Sequence, residues 1–357
     1  MEPRAYLPIV TNGTLPPFLG KVVHIHSTAA THWSGETSYW NHVDQAVVNN
    51  MVNLGLMTLT GAGTVGDAWR TLIPGYQVGQ KVAIKVNFNN CTSCDSTSGN
   101  IDALIEPVNA VAGGLLQIGV IAEDICVYDA VRALPWRFVN QDLHGVRFFD
   151  GRSGDCGANA GFIQEPASRI TFYPPPDVTA APEYVTNVLM NATYLINMPI
   201  MKGYHSLAGV TLGFKNHFGT INDCASVHSL VDVKPTGYRS DYNGLVDLMR
   251  SPLIGGKTVV TIGDGLFAAK NWVQPPVIWT TFSNQVPNSL FFARDPVAID
   301  CVMHDLLLAE GATRYEHANN YLRLAGEAGL GVFEQGTPWQ TPYGSGYQSI
   351  QYQRIEI

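Results

Sequence analysis

Short runs rich in Val, Ile, Leu and Phe, bounded by turn residues, recur at 21–26, 81–88, 124–129, 193–198, 257–263 and 290–293. Each has the length and side-chain content of a buried strand. Between them the period changes. Trp40, Val43, Val47, Met51 and Leu54 recur at helical spacing, as do the apolar residues of 101–118 and 297–309, which is the stripe of a helix lying on a sheet. Strands alternating with helices predict an α/β fold whose mainly parallel sheet is covered by helices on both faces. Gly/Pro-rich insertions interrupt it. The main one, about 145–182, contains Pro174-Pro175-Pro176 and predicts little helix, and a shorter one spans 273–288. Residues 1–19 read as an extension, 20–335 as one α/β domain, and 336–357, with Trp339, Tyr343, Tyr347 and Tyr352, as a tail packed on that domain.

Charged residues make up only 14% of the 357, against about a quarter in an average domain. The net charge is -8 and no Lys/Arg run occurs, which argues against a nucleic-acid surface. No apolar run is long enough for membrane insertion. A nucleophile elbow, a phosphate-binding loop and a dinucleotide fingerprint are all absent, so no nicotinamide cofactor is expected. Only eight lysines occur, and any lysine set among other polar loop residues therefore stands out.

The six cysteines permit fifteen pairings if all are oxidised. Cys126 and Cys301 fall in a strand-like and a helix-like run and read as buried small hydrophobes. Cys91-Thr92-Ser93-Cys94 has C-x-x-C spacing, compatible with a disulfide, a metal ligand pair or inert thiols. Tyr6-Leu7-Pro8-Ile9-Val10 resembles a short motif just after the leader of some bacterial exported proteins. With the low charge, it points to an extracytoplasmic or secreted chain whose leader is not included.

In open parallel sheets, ligands bind outside the carboxyl ends of the strands. Four predicted strands end in a carboxamide or carboxylate: Asn87, Asp129, Asn197 and Asp264. Asn and Asp also start turns and cap helices, so each alone says little, and the recurrence carries the argument. The densest polar segment, 201–228, holds Lys202, His205, Ser206, Lys215, Asn216, His217, Cys224 and His228, with glycines at 203, 209, 213 and 219. Histidine beside lysine suits proton transfer, metal ligation and anion binding. The expected catalytic residues are His205, Lys202 and Lys215, and the expected ligand-binding residues are Lys85, Asn87, Asn197 and Asn216. A divalent or transition metal would draw on His205, His217, His228, Asp264 and Asp129. Asp295-Pro296 predicts a helix start, with Asp300 and His304 on one face of that helix.

Lys81-Val82-Ala83-Ile84-Lys85-Val86-Asn87, Leu195-Ile196-Asn197-Met198-Pro199-Ile200-Met201-Lys202 with His205, Leu212-Gly213-Phe214-Lys215-Asn216 with Gly219, Asp295-Pro296-Val297-Ala298-Ile299-Asp300 and Ala328-Gly329-Leu330-Gly331 together resemble the family named domain of unknown function 362. Many of its members are exported, and some carry iron-sulfur modules. The chain lacks the clustered four-cysteine runs such modules need, so no iron-sulfur cluster is expected. The His- and Lys-bearing segment is loosely similar to that of the nickel-pincer lactate racemase group, whose histidines and lysine hold a nickel-nucleotide cofactor. The leading expectation is a metal-dependent enzyme of redox or isomerase type, acting on a small anionic or hydroxylated substrate. The alternatives are a metal-independent hydrolase with Ser206 or Cys224 as nucleophile, and a non-catalytic protein that binds a small ligand or polymer through the tail aromatics.

Overall fold

A computed structural model describes residues 18–151, 156–204, 208–233, 237–313 and 315–357. Twelve strands are present among them: β1 (Lys21–His26), β2 (Val82–Lys85), β3 (Ile125–Asp129), β4 (Arg147–Asp150), β5 (Ala158–Asn159), β6 (Arg169–Ile170), β7 (Glu183–Tyr184), β8 (Tyr194–Asn197), β9 (Ile200–Tyr204), β10 (Thr258–Asn271), β11 (Ser289–Ala293) and β12 (Gln351–Glu356). The main sheet runs β12-β1-β11-β10-β8-β2-β3-β4-β5, with β9 beyond β8 also paired to β10. Every neighbouring pair is parallel except the two made by β11. The fold is therefore α/β with a mostly parallel sheet.

Side-chain alternation along the strands separates two apolar layers. Val23, Ile25, Val82, Ile84, Ile125 and Val127 pack on one face, against the helices α1 (Gln45–Thr60), α2 (Val65–Leu72) and α3 (Ile105–Leu116). Val22, Ala83, Cys126, Tyr128 and Leu195 pack on the other, which carries α4 (Gly213–Asn216), α5 (Cys224–His228), α6 (Gly244–Arg250), α7 (Pro296–Ala309) and α8 (Asn320–Glu327). Two-sided burial explains why the strands read as nearly continuous apolar runs.

Local signals act where the sequence places them. Asp44 caps α1 by accepting from the Ala46 and Val47 N–H groups, and Gly61, at φ 73°, ends it. Asp295 caps α7 from Val297 and Ala298. Its Oδ2 also accepts from Gly20 N and Val332 N, each at 2.9 Å, so this carboxylate ties three segments together. Because β11 runs against the other strands, α7 starts at the sheet edge opposite the parallel strand ends. Asp295 is consequently remote from the loop lysines, and Asp300, just over a turn on, is the residue that reaches the backbone of the turn carrying Lys215.

The described residues of 145–182 are short strand and loop with one helical turn at Pro166–Ser168. The tail does more than cover the domain: its last strand, β12, pairs in parallel with β1 at the sheet edge. Tyr347 and Tyr352 are buried, and Trp339 and Tyr343 hold Arg354 between rings at 4.9 and 4.7 Å. These aromatics are engaged in packing. Cys94 and Cys156 form a disulfide, while Cys91, Cys126 and Cys301 are free and buried and Cys224 is free and half-buried. Among the described residues no helix is long and apolar enough to cross a membrane.

Candidate functional site

The order β8-β2-β3 sets Asn197, Lys85 and Asp129 side by side at one edge, with Asn87 just beyond β2. Lys85 is fully buried. Its Nζ donates to Asp129 Oδ2 at 3.1 Å, to Asn216 Oδ1 at 3.3 Å and to the Val86 carbonyl. Asn87 donates to the same Asn216 oxygen at 3.0 Å and accepts from Lys202 Nζ at 2.9 Å. Asn216 Nδ2 donates to Asn197 Oδ1 at 2.8 Å, and Asn197 Nδ2 donates to the Gly213 carbonyl at 3.1 Å. The four expected ligand-binding residues thus form one buried amide network, with Lys85 and Lys202 at its ends. Burial lowers both ammonium groups from their usual value, and Asp129 pulls each back up.

The turn that carries Lys215 is fastened from α7. Asp300 is fully buried and accepts from Gly213 N at 2.9 Å, Phe214 N at 3.1 Å and the Tyr321 hydroxyl at 3.1 Å. A Cβ at Gly213 would lie 2.7 Å from Asp300 Oδ1, so glycine is needed for this approach. His304, expected to share a face with Asp300, does not join it: its Nε2 is buried without a hydrogen-bond partner. A Cβ at Gly219 would lie 2.6 Å from Lys85 Nζ and 2.7 Å from Asp129 Oδ1, and the Gly219 carbonyl accepts from Ala130 N. The lysine turn is thereby seated directly on the Lys85–Asp129 pair.

Lys215 is 7% exposed, and its Nζ lies 3.9 Å from the centre of the Phe218 ring. Burial brings its ammonium down to about 7, with Lys202 adding to the shift and the Cys224 thiol opposing it. Phe218 also meets the His228 ring edge-on at 4.9 Å. Burial lowers His228 to about 4, and Lys215 adds to that. His217 is fully buried, lowered to about 3 by burial and by Lys85, with Nδ1 3.2 Å from Thr220 Oγ1 and Nε2 unpartnered. Both imidazoles are neutral at pH 7. Burial raises the Cys224 thiol, although Arg132 and Lys215 act against it.

Asp264, grouped from sequence with the metal donors, is not brought to the lysines. It shares a face with Val260 and Ile262, accepts from Leu266 N at 3.0 Å and from Leu104, and burial raises its carboxyl to about 7. Of the other donors, Asp129 and His217 meet at Lys85, and His228 lies by Lys215. His205 and Ser206 fall outside the described residues. Among the described residues no three His, Cys, Asp or Glu side chains are arranged to hold a metal ion. Asp129 is already engaged by Lys85, Phe88 N and Val131 N, and ammonium groups beside it oppose a cation. The described donors do not fit a resident metal.

Two contributors carried no sequence signal. Asp102 is 1% exposed and accepts from Asn90 N. It attracts Lys202 on one side and lies 3.6 Å from Arg137 Nη2 on the other. Arg132 donates to the Asn89 carbonyl and places its charge near Lys202 and Cys224. Both come from loops that only the folded sheet brings to this edge.

Residues 167–305 match the family model described as Domain of unknown function (DUF362). The chain carries a DUF362 domain. The DUF362 segment supplies Asn197, Lys202, Lys215, Asn216, His217 and Asp300, whereas Lys85, Asn87, Asp102 and Asp129 come from the strands and loops before it. Each half thus contributes one side of the same amide and ammonium network. A search of curated proteins finds no match.

Proposed function

We propose that the protein is an enzyme whose site at the carboxyl edge of the sheet takes a small anionic or hydroxylated substrate. The observation that carries this reading is a cluster of buried lysines with few carboxylate partners among the described residues. Lys85, Lys202 and Lys215 are each at most 7% exposed and Arg132 is close by, yet among the described residues Asp129 is the one carboxylate within hydrogen-bonding distance of the three lysines. Asp102 is shared between Lys202 and Arg137. Unbalanced buried charge is costly, and an anion arriving here would relieve it. Lys202 and the amides orient the substrate, while Lys215, lowered to about 7, exchanges a proton with it near neutral pH. The Cys94–Cys156 disulfide supports an oxidising, extracytoplasmic setting.

The test is proton NMR of a panel of small 2-hydroxy and 2-oxo acids in D2O with the full chain. Exchange or conversion of one of them, lost in Lys215→Met, is expected. Turnover unchanged in that variant would overturn the role of Lys215. A panel that neither reacts nor binds would overturn the reading.

A further inference from the structure

Lys85 and Lys202 both donate to defined oxygens, whereas no described hydrogen bond or ion pair reaches Lys215 Nζ. Its neighbour is the face of Phe218, an apolar surface beside the half-buried Cys224 and His228. A lysine amine that is desolvated, lacks an acceptor for its proton and lies near another cation is the arrangement that frees a nitrogen lone pair for attack on a carbonyl. Lys202 supplies that cation from within the same cluster. The α4 turn cannot drift, because Asp300 holds its first two N–H groups and Gly219 seats its far end on Lys85.

We propose that Lys215 is a nucleophile that forms an imine with a small 2-oxo acid. This rests on the reading that the edge takes small anions, and it names their class. Nζ adds to the carbonyl carbon, the carbonyl oxygen becomes a hydroxyl, and that hydroxyl leaves as water once the nitrogen has given up its protons. Amine plus ketone thus gives imine plus water, with no oxidant or reductant. The substrate carboxylate is held by the Lys202 ammonium, a charge-assisted contact. Reprotonated, the imine nitrogen draws electrons from the adjacent carbon, whose proton leaves to water, and return of a solvent proton or deuteron to that carbon supplies the exchange proposed above.

The experiment is trapping: the full chain is incubated with pyruvate, reduced with borohydride and mapped by peptide mass spectrometry, with calorimetric titration of oxalate, which forms no imine, in parallel. One reduced adduct per chain on Lys215 is expected, absent in Lys215→Arg and weakened at least about tenfold in Lys202→Met, the loss of one charge-assisted contact. Oxalate binding without an adduct on Lys215, or labelling of surface lysines such as Lys270 to the same extent, would overturn the imine and leave the anion site standing. Failure of both adduct and oxalate binding would overturn the site itself.

Discussion

Gly219→Ala tests how tightly the lysine turn is seated. Gly219 has φ -82° and ψ 15°, a conformation open to alanine, so backbone strain contributes little and the effect comes from the new methyl group. That methyl would meet Lys85 Nζ at 2.6 Å, Asp129 Oδ1 at 2.7 Å and Lys85 Cε at 2.8 Å, where ordinary contact begins near 3.4 Å. Overpacking a filled interior costs about 1–3 kcal/mol, and separating a buried ion pair costs about 3–5 kcal/mol. The pair here can yield only in part, because Asp129 is also held by Phe88 N and Val131 N, so a loss of about 2–4 kcal/mol is expected. Urea unfolding of wild type, Gly219→Ala, Lys85→Ala and the double variant measures it. Lys85→Ala removes two of the three crowding atoms, so the double variant should be less destabilised than the sum by about 1 kcal/mol or more. Additivity within about 0.5 kcal/mol, or a single variant as stable as wild type, would refute the close seating.

Three further outcomes follow from single contacts. Asp300→Ala orphans two backbone N–H groups and the Tyr321 hydroxyl; at about 1–3 kcal/mol for each unsatisfied group, urea unfolding should show a loss of roughly 3–5 kcal/mol after partial rescue by water. His304 is lowered from 6.5 to about 4 by burial. Its unfolded form therefore takes up a proton that the folded form refuses, and stability falls as pH drops from about 6.5 through 4, by about 3 kcal/mol. His304→Gln should be flatter across that window, and equal slopes would contradict the assignment. Cys94→Ser opens a link across 62 residues, for which chain entropy gives about 4 kcal/mol; the variant should unfold at lower urea, and dithiothreitol should shift wild type but not the variant.

The parts of the fold set by period were legible in the sequence. The strand runs at 21–26, 124–129 and 193–198 correspond closely to β1, β3 and β8, because a strand buried on both faces must be apolar throughout. β12 was hidden, since an edge strand such as Gln351–Glu356 is only half covered and keeps polar residues. At the site, the nearness of Lys85, Asn87 and Asn197 was readable because strand-end position fixes it, and Lys202 and Asn216 stood out through the dense polar segment that follows β8. Asp264 was misplaced because β10 runs on to Asn271, so this residue sits mid-strand and not at an end, and alternation sends its side chain to the opposite layer. Asp102 and Arg132 depend on how loops fold back, which no local pattern encodes. The structural part of Asp295 was visible in its Asp-Pro pair, whereas its hold on Gly20 and Val332 needed the fold.

The central claim is that buried lysines at the sheet edge hold a small anion. Calorimetric titration of the full chain with oxalate tests it most directly, with Lys202→Met and the surface variant Lys270→Met alongside. One site per chain is predicted, with affinity reduced about tenfold or more in Lys202→Met and unchanged in Lys270→Met. Absence of heat at millimolar oxalate, or equal affinity in wild type and Lys202→Met, would contradict it.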